Sequence, residues 1–225
     1  MASHAQQAEQ TERAEQAGPG GRYGLLLLVL IATYLLSAFN GGKLAADFEL
    51  GLIVAVVILA LRTSPLPRPW PVLIAAATAA GSAAAIGALL TGTQTGTGLA
   101  DLWKAALLLL TAVLIVRRVL AKPTVTIQSI YGALSAYLVT GLMFASCYSA
   151  MRHLGQSPFF ANGQPASTQT FQYFSFTTLT TLGYGDFTAV GDAGRAIAVL
   201  EALTGQIYLA TLVARLVSAY RGPTQ

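Results

Sequence analysis

Cysteine is nearly absent from this chain. Cys147 is the single one among 225 residues, so no disulfide can form within the chain. It lies inside an apolar run and reads as a packed, inert thiol, with a bridge between subunits as the other reading. Histidine is almost as scarce. His4 falls in a polar N-terminal stretch and His153 near the end of an apolar run, where it is either a pH-sensing group or an ordinary interfacial residue. No catalytic triad and no metal-ligand cluster can be assembled, which argues against an enzyme, and no cofactor is expected. Charge is also sparse: 10% of residues are charged, against about 25% in soluble domains. The net charge of +4 is scattered over the ends of apolar runs. No basic cluster is interleaved with aromatics, so nucleic acid is not an expected partner.

What the chain has is apolar length, 54% of its residues. A membrane helix needs about 20 mostly apolar residues. Six runs qualify, approximately at 23–39, 44–61, 70–90, 102–120, 127–151 and 195–219. The second is weakest, because Asp47 and Glu49 lie near its start, as interface anchors or as countercharges. The first run is preceded by a polar, Ala-, Gln- and Glu-rich stretch over 1–22 that reads as a disordered tail. It lacks a clear cleavage site and is taken as a membrane helix rather than a signal peptide.

Turn chemistry separates the runs. Asn40-Gly41-Gly42 ends the first, and Pro65, Pro67, Pro69 and Pro71 fill the next link, where a helix cannot continue. The alternating Thr and Gly of 91–98 predict a flexible loop, and Pro123 marks the fourth boundary. With the N-terminus inside, Arg13, Arg22, Arg62, Arg68, Arg117, Arg118, Lys122, Arg215 and Arg221 fall on the cytoplasmic side. Only Lys43, Lys104, Arg152 and Arg195 fall outside. This bias predicts cytoplasmic N- and C-termini.

Between the last two runs lies a segment that is not a simple loop. Pro165-Ala166-Ser167 predicts a helix start, capped by Ser167 or Thr168. Phe171, Tyr173, Phe174 and Phe176 follow, then four threonines up to Thr181. The stretch is too short and too polar to span a bilayer and suits a half-length helix entering from outside. Gly183-Tyr184-Gly185-Asp186 comes next. Irregular backbone at membrane depth is tolerated only in protein or along a water-filled path, and the C-terminal end of a half-helix favours a cation ahead of it.

The run Thr180-Thr181-Leu182-Gly183-Tyr184-Gly185-Asp186 resembles the signature of potassium channels. The resemblance covers roughly 127–220, under half of the chain. It implies that four chains each contribute one strand of a selectivity filter. The carbonyls of Thr181, Leu182, Gly183 and Tyr184, with the Thr181 hydroxyl, would replace the water shell of a potassium ion. Gly185 completes the strand, and Thr180 and Asp186 would support it. Tyr184 would pack away from the axis against the aromatic half-helix. Leu182 stands where the family usually has valine; only the carbonyl faces the ion path, so this bears on filter rigidity more than on selectivity.

The last run holds Glu201, Gly205 and Gln206 as gating or pore-lining candidates. An ionisable residue inside a membrane helix is a functional candidate by default. Glu201 is either a charge that tunes the pore or pairs with Arg152 or Lys104, or a carboxyl that hydrogen-bonds the threonines behind the half-helix. Gly205 is either a hinge or a close-packing site. The layout resembles that of voltage-gated channels, yet residues 105–116 of the fourth run carry no charge, so little or no voltage dependence is expected.

The expected fold is therefore an all-α membrane protein: six transmembrane helices, with a re-entrant pore helix and extended filter between helices 5 and 6. Residues 1–22 are the tail, 23–121 a four-helix transmembrane domain and 122–225 the pore domain. The expected function is passive potassium conduction through a homotetramer in contact with membrane lipid. The short stretch after Tyr220 leaves no cytoplasmic ligand-binding domain, and small size points to a prokaryotic plasma membrane. A weakly selective cation channel and a non-conducting sensor or accessory subunit are the alternatives.

Overall fold

A computed structural model of the chain describes residues 22–39, 70–121 and 125–219. The expected tail, the second run at 44–61 and the links around Pro65 and Pro123 lie outside these residues. Within them the chain is helical: α1 Arg22–Phe39, α2 Trp70–Leu90, α3 Gln94–Ala121, α4 Ile127–Leu154, α5 Thr168–Leu179 and α6 Asp192–Ala219. Among the described residues there is no strand, and a single antiparallel bridge joins Phe160 to Ala189. Three helices among the described residues are long and apolar enough to cross a membrane: α3, α4 and the Asp192–Arg215 part of α6; Tyr23–Ala32 and Ile74–Leu90 are shorter apolar stretches.

Local chemistry sets the helix ends. Thr126 caps α4 and Ser167 caps α5, each in a reciprocal capping box with the residue three positions on, Ser129 and Thr170. Such a cap is worth about 1 kcal/mol. The loop expected over 91–98 is corrected here. Its threonines act as a cap, with the Gly96 N–H donating to Thr93 Oγ1 at 3.1 Å, and α3 begins at Gln94. The glycines serve packing instead of flexibility: a Cβ at Gly98 would lie 2.6 Å from Leu154 Cγ. The start of α3 and the end of α4 therefore approach closely.

The α3–α4 pair shares the most extensive interface, and α1 packs on α4 and α2 on α3. Leu26 and Leu30 of α1, Leu108 and Ile115 of α3, and Val139 and Leu142 of α4 form its buried core. The short α5 is wedged between α4 and α6. It is fixed toward α1 by Phe176, whose ring meets Tyr34 edge-on at 5.1 Å. By contrast α6 is little covered: Val199, Leu200, Leu203, Ile207, Val213 and Val217 are all exposed.

Candidate functional site

Residues 180–186 follow directly on α5, and the end of that helix shapes them. Thr180 is its C-cap, with the hydroxyl donating to the Phe176 carbonyl at 2.7 Å. The chain then folds back. The Thr181 N–H donates to the Thr178 carbonyl at 2.9 Å, and those of Leu182 and Gly183 both donate to the Thr177 carbonyl, at 2.8 and 3.0 Å. The carbonyls that a helix end leaves without partners are thus taken by the segment itself.

Every second residue of this segment has a left-handed backbone: Thr181 at φ 58°, Gly183 at 48° and Gly185 at 78°. Residues of positive φ that alternate with residues of negative φ turn successive peptide groups to one side. Glycine adopts this conformation freely. A β-branched threonine does not, and such strain costs on the order of 1–3 kcal/mol and marks sites whose surroundings enforce it. Thr181 is held partly by α6, where Gln206 Nε2 donates to its Oγ1 at 2.9 Å. Leu182 and Tyr184 are 55% and 67% exposed in the single chain.

Asp186 anchors the far end. Its Oδ2 accepts from the Tyr173 hydroxyl of α5 at 2.8 Å, and its main-chain carbonyl accepts from the Gln164 amide. The bond to the carboxylate, then burial and then the carboxylate's charge push the Tyr173 phenol up to about 12. The loops on either side are tied together as well: Ala161 N–H donates to Thr188 O and Val190 N–H to Phe159 O, both at 3.0 Å. Behind them Tyr148, Phe159, Phe160, Phe171 and Phe174 form a buried aromatic cluster, with most rings in edge-to-face contact about 5 Å apart.

The three candidates of α6 have different surroundings. Gly205 faces the end of α5, where a Cβ would run into the Leu179 carbonyl oxygen and lie 2.9 Å from its carbon. Gln206 reaches Thr181 as described. Glu201 is fully buried, with 0% exposure, and its partners are hydroxyls: Tyr148 of α4 donates to Oε2 at 2.5 Å, and Ser175 of α5 meets Oε1. Lys104, weighed above as its partner, pairs instead with Asp101 at 2.9 Å. Asp101 also accepts from Ser149 Oγ at 2.6 Å and lies 3.0 Å from His153 Nδ1, which joins the N-terminal part of α3 to the C-terminal part of α4. Cys147 is half-buried and free.

Tyr148, Ser175 and Asp101 were not anticipated from the sequence. Each is a polar group in an apolar run, and the need of buried polar atoms for a partner was the available signal. Among the described residues no group of three or more His, Cys, Asp or Glu is placed to hold a metal ion.

Residues 132–221 match the family model described as "Ion channel". Over 106 residues the chain is 36% identical to Protein LctB of Bacillus caldotenax, covering 44% of this chain and 78% of that protein. The chain belongs to the ion channel family. It is also 32% identical over 88 residues to the inward rectifier potassium channel Kirbac3.1 of Paramagnetospirillum magnetotacticum; that match covers 39% of this chain and 28% of the relative's length. The family match includes α5, the turn after it and α6, the part that carried the resemblance to potassium channels. No solved structure gives a significant match.

Proposed function

We propose that this membrane protein is one subunit of a homotetrameric, potassium-selective channel, with residues 181–185 as one strand of the filter. The observation that carries this is the left-handed alternation at Thr181, Gly183 and Gly185, at the C-terminal end of a short helix lying between two helices of spanning length. At about 1.5 Å per residue, α5 is about 18 Å long, too short to cross a hydrocarbon core of about 30 Å. It suits a re-entrant pore helix whose negative end faces the ion path. The carbonyls of Thr181, Leu182, Gly183 and Tyr184 then coordinate potassium, with Thr180 and Asp186 as supports. One strand cannot surround an ion, and a closed ring of four copies can. The exposed apolar face of α6 suits contacts with neighbouring copies and lipid.

In this reading 23–121 form a helical domain beside the pore domain at 122–225, six spans in all, with both termini cytoplasmic in a prokaryotic inner membrane. The span over 105–116 carries no charge, so voltage dependence is weak or absent. Ion flux into liposomes holding only this protein tests the reading. Potassium or thallium entry that barium blocks and sodium does not match is the expected result. Equal sodium entry would leave a weakly selective channel, and no flux of either ion from folded protein a non-conducting subunit. A folded assembly without fourfold symmetry also refutes the tetramer.

A further inference from the structure

Glu201 sits where three helices meet, and the hydrogens around it can be counted. Tyr148 Oη lies 2.5 Å from Oε2, Ser175 Oγ contacts Oε1, and the same Ser175 Oγ lies 2.7 Å from the carbonyl oxygen of Gly141 on α4. A serine hydroxyl has one hydrogen, a carbonyl oxygen can only accept, and an ionised carboxylate can only accept. If Glu201 were ionised, Ser175 Oγ, Glu201 Oε1 and Gly141 O would share a single hydrogen. One of the two contacts would then oppose two acceptors in a fully buried site, where an unmade bond is costly. A proton on Oε1 removes the conflict. Oε1–H donates to Ser175 Oγ, Ser175 donates to the Gly141 carbonyl, and Tyr148 donates to Oε2.

We infer that Glu201 is held as a neutral carboxylic acid and that its donated hydrogen bond positions the pore helix α5 between α4 and α6. The chain of bonds Tyr148–Glu201–Ser175–Gly141 crosses from α4 through α6 and α5 back to α4. It lies one to two turns of α5 before Thr180 and Thr181, so it fixes the helix from which the turn at 181–185 departs. Cys147 and Tyr137, both on α4, are further ionisable side chains facing this region. From α5 only the Ser175 hydroxyl meets the carboxyl. The role in positioning rests on the channel reading above; the proton does not.

Infrared spectroscopy of the full-length protein in liposomes at neutral pH tests the proton. A carboxylic-acid C=O band is expected in the wild-type spectrum and absent from Glu201→Gln. Ion flux tests the role. The glutamine amide donates to Ser175 while its oxygen accepts from Tyr148, so Glu201→Gln is expected to restore what Glu201→Ala loses. Potassium-over-sodium preference should fall in Glu201→Ala and in Ser175→Ala, by about tenfold where the cost of one unmade buried bond is passed on to the filter, and by less than about threefold in Glu201→Gln. Absence of the band, or a Glu201→Gln variant as impaired as Glu201→Ala, overturns the inference. A wild-type protein that conducts nothing overturns the channel reading while the infrared band still reports on the proton.

Discussion

Gly205→Ala separates the two roles open to a glycine in the middle of α6. If the glycine is a hinge, alanine stiffens the helix, and the propensity difference of about 1 kcal/mol favours the folded state. The surroundings argue for the other outcome. The new methyl would overlap the Leu179 carbonyl oxygen, with the carbonyl carbon at 2.9 Å and Leu179 Cδ1 at 3.2 Å. That carbonyl cannot simply swing away, because it accepts from the Tyr137 hydroxyl of α4 at 3.2 Å, and Leu179 is 0% exposed. Either α6 or the end of α5 must move. Overpacking of a close contact costs about 1–3 kcal/mol, which offsets or exceeds the propensity gain. The shift is passed on at once, since Leu179 lies two residues before Thr181 and the neighbouring Gln206 holds the Thr181 hydroxyl. The expected phenotype is a lower melting temperature in detergent together with reduced potassium-over-sodium preference. A variant that melts higher and keeps its ion preference while opening less often would refute the packing role and establish the hinge.

Ser167→Ala removes the cap of α5 and should lower stability by about 1 kcal/mol, read as a lower melting temperature, with Ser167→Asp retaining most of it. Asp101→Asn loses the charge that Lys104, Ser149 and His153 share. It should cost about 1–3 kcal/mol, read by thermal melting, and an unchanged melting point would show that α3 and α4 do not depend on this joint. The Tyr173 phenol, raised to about 12 by Asp186, keeps its hydrogen bond at and below pH 10 and loses it as pH rises through about 12. A difference titration at the tyrosinate absorbance should show one phenol moving back toward 10 in Asp186→Asn, and no movement would break the assigned pair.

Some parts of this structure were legible because their causes are local. Ser167 as a cap and the apolar lengths of α3, α4 and α6 follow from residues within a few positions of each other. The start of α3 was missed for an instructive reason. Alternating Thr and Gly at 91–98 has loop composition, yet Thr93 is a cap and Gly98 a contact site for Leu154. The second use depends on a residue 56 positions away and leaves no mark nearby.

Glu201 shows the same limit at the site itself. Its position in an apolar run says that a buried acid needs partners, and the threonines behind the half-helix were the partners expected for it. The partner on α5 is instead Ser175, and the second is Tyr148, 53 positions away on α4. Helix rotation decides this, and rotation is set by packing across all three helices. The threonines are occupied elsewhere: Thr177 and Thr180 donate to carbonyls within their own helix. A helical threonine can satisfy its hydroxyl in this way without leaving its turn. The phenol of Tyr148 stands too far from its own backbone to do so, and the acid is as close a partner as three packed helices supply. In a low-dielectric interior the side chains that cannot satisfy themselves locally determine which helices must meet. Removing the Tyr148 hydroxyl should therefore disturb the α4–α6 contact more than removing that of Thr177.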